Sequence, residues 1–228
     1  MGIEPKVIQN IDRPAKEDVE ALRTYGVATV HEAYGRRGLM YGLSPVVGGL
    51  RIAGPAVTCL NYAGDNLMIH IALKYCRPGD VLVVATTAPS LHGMFGDLLA
   101  TSCQARGLAG IIIDSGVRDT VELRQMRCPV WSKGISSAGT QKTGRGWVNI
   151  PVSCGNAVVM PGDIVVADDD GIVVVEKAYA RETIAACQKR AENEEIARQA
   201  FARGVLSVDS GTLKDMAESG GFSYIDHV

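Results

Sequence analysis

Three residues in the stretch GDLLATSCQARGLAGIIIDSGVRD, from Gly96 to Asp119, have types suited to chemistry. Asp97 follows a glycine at the start of a helix-like run. Arg118 and Asp119 follow a short apolar strand, where the chain turns into the next helix-like run. Two carboxylates offer hard oxygen ligands for a cation such as Mg²⁺. An arginine offers a planar fork that fits a carboxylate. Two helix N-termini at one sheet edge add backbone N–H groups that favour an anion. Together these groups could hold an acidic substrate and a metal in one place. The same residues also have a plain structural reading. Asp97 and Asp119 could each cap a helix, and Arg118 could pair with either on the surface.

The elements that must position them follow from periodicity and punctuation. Residues 15–25 have helical spacing and stop at Gly26. VATVHEAYGRRG reads as a short helix ending near Gly35, and RIAGPAVTCLNY as a strand. Asp65-Asn66 caps a helix LMIHIALKYC, which Arg77-Pro78-Gly79 ends. Residues 97–106 form a helix stopped by Gly107, AGIIID is a strand and DTVELRQM a helix. PVWS, WVNIPVSC, AVVM, IVVAD and GIVVVE read as strands, with Asp170-Gly171 in the turn of a hairpin. The turn Pro-Gly-Asp introduces an apolar strand twice, at 78–80 and 161–163. Residues 177–203 read as one long charged helix, stopped by Gly204 and followed by a short, partly polar tail. The expected organisation is an α/β domain over 1–176 and a helical arm over 177–228. Ile184, Cys187, Ile196 and Phe201 on that arm suggest packing on a neighbouring subunit.

Bulk properties narrow the function. The chain has 228 residues, 46% hydrophobic and 21% charged, with a formal net charge of -2. That balance gives no electrostatic case for nucleic acid or an anionic membrane surface. No run approaches the ~18 apolar residues of a membrane span. The opening MGIEPKVIQNIDRPAKED has no apolar core of a secretory signal, so a cytoplasmic protein is expected. The six cysteines form no CxxC motif and read as small buried hydrophobes kept reduced.

Other reactive residues have bland readings. Lys133 could be a Schiff-base lysine but reads as a solvated strand-end charge. His31 and His70 lie in apolar helical surroundings and read as structural, and His92 is far from both in sequence. Asp168, Asp169 and Asp170 read as a solvated turn. GTQKTGRG, at 139–146, lacks Walker spacing and reads as a mobile connection that could contact the distal part of a substrate. Arg36 and Arg37 are either surface charges or partners of a second carboxylate.

Asp97, twenty residues, then Arg118-Asp119 resembles the D-x20-R-D signature of the class II pyruvate aldolases. GVATVHEAYGRRG, IAGPAVT, GDNLMIH, PGDVLVV, FGDLLAT, RGLAGIIIDSGVRD, PVWSKG and PGDIVVADDDGIVVV resemble the same family, from about Gly26 to Arg203. The regulators of ribonuclease activity A share the fold and much of the motif. The long C-terminal helix resembles the aldolase branch more.

The resemblance implies an αββα sandwich related to phosphohistidine swivelling domains, assembled as trimers or hexamers with sites between subunits. It implies Mg²⁺ or Mn²⁺ bound by Asp119 and, through water, by Asp97. It implies that Arg118 binds the substrate's carboxylate and carbonyl side. Gly96, Asp97, Leu98 and Leu99 would form the turn whose amides hold the pyruvyl carboxylate. Glu32, and Glu194 or Glu195, are candidates for acids that reach a neighbour's site. The implied substrates are 4-carboxy-4-hydroxy-2-oxoadipate and 4-hydroxy-4-methyl-2-oxoglutarate. Oxaloacetate decarboxylation is the expected side activity, in bacterial breakdown of aromatic acids. A ribonuclease-binding regulator is the alternative.

Overall fold

The computed structural model describes residues 4–209 and 211–227. The chain divides into two compact units, Met1–Cys187 and Gln188–Val228.

In the first unit one strand organises the sheet. Ile52–Asn61 pairs antiparallel with Ile164–Asp168 through its first four residues. Through its last six it pairs parallel with Val81–Thr86. Beyond Val81–Thr86 the strands Gly110–Val117 and Val130–Ile135 continue in parallel. On the other side Ile164–Asp168 forms a hairpin with Gly171–Val175. A parallel half and an antiparallel half thus share a single strand.

Side chains alternate between the faces of a strand, so each half presents two apolar faces. One face of the parallel half (Val57, Cys59, Leu82, Val84, Ile111, Ile113) packs under Met68, Ile69, Leu99, Cys103 and Leu123 of three helices. Its other face (Ala56, Val81, Val83, Ile112, Trp131) meets Val165, Ala167, Ile172 and Val174 of the hairpin. The outer face of the hairpin (Ile164, Val166, Val173, Val175) lies under Val19, Leu22, Val27, Val30, Ala180 and Cys187. The layers run helix, sheet, sheet, helix, which is the expected αββα sandwich. Strands covered on both faces explain the unbroken apolar runs VLVV, GIII and IVVA.

The repeated Pro-Gly-Asp turn has the same geometry twice. Gly79 and Gly162 both have φ +90°, a region that disfavours side chains. Asp80 Oδ2 accepts the N–H of Arg77 at 2.7 Å, and Asp163 Oδ2 that of Met160 at 3.0 Å. Each aspartate bonds back to the amide three residues earlier. All six cysteines are free and buried. Burial pushes the thiols of Cys59, Cys76 and Cys128 up to about 12, so they are poor nucleophiles.

Several elements differ from the sequence-based expectation. WVNIPVSC is two strands, Trp147–Val148 and Val152–Cys154. Asn149, at φ 57°, breaks the ladder, and Pro151 has no N–H to continue it. The helix after Asp65 spans only Leu67–Ala72, because Lys74 and Tyr75 bond to carbonyls three residues back. The hairpin loop is Asp169-Asp170, since Asp168 pairs with Gly171. There Asp168 Oδ1 accepts the N–H of Asp170 at 3.0 Å, and Gly171, at φ 146°, returns the chain to the ladder. The long helix is Ala180–Ala202, preceded by the 3-10 turn Lys177–Tyr179. In the second unit the chain after Gly204 is not a plain tail: it contains the helix Gly211–Ser219. No helix among the described residues is long and apolar enough to cross a membrane.

Candidate active site

The spacing of twenty residues between Asp97 and Arg118 acquires a reason in the sheet. Gly93–Phe95 pairs parallel with the end of Gly110–Val117, with Phe95 opposite Val117. Both strands therefore stop side by side and each turns into a helix, Asp97–Ala105 and Thr120–Gln125. The intervening helix and strand return the chain to the edge it left. This is the carboxyl end of parallel strands, where α/β folds bind ligands.

The two turns are tied to each other. Arg118 N–H donates to Phe95 O at 2.9 Å, and Asp97 N–H donates to Asp119 Oδ2 at 3.3 Å. Arg118 Nε lies 3.5 Å from the same Asp119 oxygen. Gly96, Asp97, Leu98, Leu99, Arg118 and Asp119 line one pocket.

Neither aspartate caps its own helix from the N-cap position: Asp97 takes the Leu98 N–H from within the helix, and Asp119 takes an amide of the other helix. Gly96 occupies the N-cap position, and Asp97 is the first helical residue. Asp119 does sit at an N-cap position, but its side chain makes no capping bond. It turns back towards Gly96 from a left-handed backbone, φ 55° and ψ 43°. Aspartate tolerates this conformation better than most side chains, which pay about 1–2 kcal/mol there.

Gly96 is required sterically. A Cβ there would come 2.1 Å from Asp119 Oδ2. Gly96→Ala is expected to displace Asp119 and abolish pyruvate release while Tm falls modestly. A kcat within twofold of wild type would refute the close approach.

Of the turn's amides expected to hold a carboxylate, that of Leu98 is occupied by Asp97 Oδ1 at 2.7 Å and that of Asp97 by Asp119 Oδ2. The Leu99 N–H, in the first helical turn, has no partner within the helix. Asp97 Oδ2 and Asp119 Oδ1 accept no hydrogen bond from the described residues. These two free oxygens, on carboxylates at one pocket, fit a divalent cation that also keeps waters. No group of three or more His, Cys, Asp or Glu side chains assembles among the described residues. Glu32 pairs with Arg36 at 3.1 Å and does not line this pocket. In the second unit Glu194 pairs with Arg190 at 2.7 Å, and Glu195 with Arg198.

The pocket also contains Asn66 and His70, which sequence reasoning did not assign to it, and Lys142, from the 139–146 loop expected to contact the distal part of a substrate. Asn66 and His70 are four apart, hence on one helix face, and that spacing was a usable signal. The Asn66 side-chain oxygen is buried without a hydrogen-bond partner. Burial and the charge of Lys142 both lower the pKa of His70. The other candidates are structural. Lys133 pairs with Asp114 at 2.9 Å. Asp168 accepts the N–H of Val27, and Asp169 that of Gly49. The Arg37 guanidinium stacks on Tyr34 and Tyr179, 4.3 and 5.2 Å from their ring centroids.

Asp119, Arg118 and a helix N-terminus meet in one pocket at the ends of parallel strands. The chain belongs to the RraA-like family (Aldolase/RraA), whose model matches residues 27–174. A Halalkalibacterium halodurans protein provisionally named 4-hydroxy-4-methyl-2-oxoglutarate aldolase is 28% identical over 191 residues, 83% of this chain and 91% of that protein. A Burkholderia multivorans protein with the same provisional name is 35% identical over 138 residues, 60% of this chain and 84% of that protein. Among solved structures, Streptomyces coelicolor RraAS2, described as an unusual member of the RNase ES inhibitor RraA family, superposes with a TM-score of 0.75. It is 31% identical and covers 83% of this chain and 99% of its own.

Proposed function

We propose that the protein is a divalent-metal aldolase that cleaves branched 4-hydroxy-2-oxo acids with two or three carboxylates. 4-Carboxy-4-hydroxy-2-oxoadipate would give pyruvate and oxaloacetate, and 4-hydroxy-4-methyl-2-oxoglutarate two pyruvates. The observation that carries this reading is the constellation at the strand ends: Arg118, Asp97 and Asp119 interlocked around Gly96. The names of the relatives support the same chemistry.

The reaction breaks the C3–C4 bond, takes the proton of the 4-hydroxyl and leaves the electron pair as a pyruvate enolate. Mg²⁺ or Mn²⁺, held by Asp119 and through water by Asp97, would supply a Lewis acid that draws charge towards the 2-keto oxygen. Arg118 donates to the keto oxygen and the carboxylate beside it, and its charge matters most as the enolate forms. The Leu99 amide faces the pyruvyl carboxylate. Asp97, through its free oxygen, orients a water that accepts the hydroxyl proton. Lys142 in the same pocket supplies a cation for a second carboxylate. Loss of CO₂ from oxaloacetate gives the same enolate, so decarboxylation should accompany aldol cleavage.

The wider setting belongs to the same proposal: bacterial, cytoplasmic breakdown of aromatic acids by a homotrimer or homohexamer. Glu32 and Glu194 or Glu195 would complete a neighbour's site, and sedimentation mass tests the assembly. A second reading, a non-enzymatic ribonuclease-binding regulator, is favoured by the similarity to RraAS2. A lactate-dehydrogenase-coupled pyruvate assay separates the two. Release from either substrate, abolished by EDTA and restored by Mg²⁺, is expected. No metal-dependent release from any such substrate would favour the regulator.

Lys133, bound to Asp114 and outside the pocket, should form no Schiff base. Borohydride with pyruvate is expected to leave mass and activity unchanged. A reduced pyruvyl adduct on Lys133 would show a lysine mechanism instead.

A further inference from the structure

Asp65 does not line the pocket, yet it joins two parts of its wall. It is 5% exposed. Its Oδ1 accepts the N–H of Leu67 at 2.8 Å, at the start of the helix that carries His70. Its Oδ2 accepts the N–H groups of Thr143 and Gly144 at 2.7 and 2.8 Å, in the loop that carries Lys142. Backbone bonds reinforce the contact: Gln141 N–H to Gly64 O at 2.9 Å, and Asn66 N–H to Gln141 O at 3.1 Å. The loop read from sequence as a mobile connection is therefore pinned. Burial alone would raise the pKa of Asp65, but the amides of Leu67, Gly144 and Thr143 hold it below the usual carboxyl range. An ionised carboxylate, which only accepts hydrogen bonds, is the one common side chain of this size that satisfies three donors on both its oxygens.

We propose that Asp65 is a positioning residue for the active site: it clamps the loop at 139–146 so that Lys142 stands in the pocket beside His70 and in reach of the same ligand as Arg118. The proposal rests on reading this pocket as the substrate site. Asp65 acts through Lys142 and does not touch the substrate. It also explains Gly144, where an added Cβ would lie 3.0 Å from Asp65 Cγ and 3.2 Å from Tyr62 Cδ2.

The test uses two variants that break the clamp differently. Asp65→Asn can keep one oxygen for Leu67 but must turn an N–H₂ group towards the Thr143 and Gly144 amides. Gly144→Ala leaves the carboxylate intact and wedges the loop away. The readout is the His70 ring titration by NMR in the full-length protein, which does not require turnover. Because Lys142 helps keep His70 below its ordinary pKa, release of the loop should raise that pKa. Both variants, and Lys142→Met, are expected to raise it. Asp65→Asn should add nothing in the Lys142→Met background, as expected for residues that act as a unit. For the dicarboxylic substrate, KM should rise about tenfold in Asp65→Asn with kcat changed far less, the pattern of lost uniform binding. An unmoved His70 titration in both variants, or an equal effect of Asp65→Asn with and without Lys142, would overturn the proposal. A wild-type protein without turnover whose His70 still responds in this way would support the clamp and refute the aldolase reading.

Discussion

Asp119→Ala is expected to abolish metal-dependent pyruvate release while leaving a folded protein. Asp119 closes the gap between two strand ends, but its structural bonds are few. Its Oδ2 accepts one amide at 3.3 Å and lies 3.5 Å from Arg118 Nε, and the side chain is 33% exposed. A half-exposed pair and one long hydrogen bond contribute about 1 kcal/mol. The left-handed backbone adds a further cost for alanine, about 1 kcal/mol more than for Asp or Asn. Asp119→Asn, which tolerates that backbone and keeps the shape, controls for this term. The catalytic effect should be much larger. If Asp119 is the direct ligand, its loss removes the Lewis acid. Several kcal/mol of transition-state stabilisation correspond to about a thousandfold or more in kcat. Circular dichroism, Mg²⁺ titration calorimetry and the coupled assay on both variants measure the three quantities. A variant that binds Mg²⁺ as wild type does and turns over would remove Asp119 from the metal site. A variant that unfolds as alanine but binds and turns over as asparagine would make Asp119 a structural residue.

The key half of this site was legible because its members lie within one helix-strand unit. Asp97 and Arg118-Asp119 meet whenever a helix and a parallel strand return the chain to the same sheet edge, and apolar periodicity shows both elements. What periodicity does not show is backbone hand. Asp119 in a left-handed conformation, with its carboxylate turned back to Gly96, looks in sequence like any helix cap. The remaining wall was legible only in part: the loop carrying Lys142 was expected near the distal part of a substrate, but Asn66 and His70 were not placed there. Asn66 and His70 reach the pocket from the cap and body of a helix that begins thirty residues before Asp97, and Lys142 from a loop after the strand Val130–Ile135. Nothing local links them, and the tie that does, Asp65 to Thr143 and Gly144, spans nearly eighty residues.

The double-layered fold was legible for the opposite reason. Runs such as VLVV and IVVA must be covered on both faces, and the separate helical stretches supply the covers. The break at Asn149 was missed because one residue's positive φ outweighed a favourable strand composition on either side. The hairpin turn was shifted by one residue because the side chain of Asp168 bonds across the loop and Gly171 closes it from the first paired position.

Arg118→Lys is expected to impair chemistry clearly while barely changing stability, and this contrast separates a catalytic arginine from a surface one. In the free protein Arg118 is 47% exposed on its side chain and approaches Asp119 only to 3.5 Å, so the pair contributes little to folding. Lysine keeps the charge and the aliphatic stem, and Tm should fall by no more than a degree or two. Lysine cannot present two parallel N–H donors to the keto oxygen and the carboxylate beside it. A charge-assisted contact of that kind is worth about 1.5–3 kcal/mol, which corresponds to roughly tenfold to more than a hundredfold in rate. Because charge grows on the keto oxygen as the enolate forms, the loss should appear in kcat as well as in kcat/KM. Oxalate, planar and doubly charged like the enolate, should lose affinity by a comparable factor. If kcat and oxalate inhibition both matched wild type, Arg118 would be only a surface neighbour of Asp119. If KM alone rose, Arg118 would bind the substrate carboxylate without assisting the bond cleavage. A joint fall in kcat and oxalate affinity, at unchanged Tm, would tie Arg118 to the developing charge.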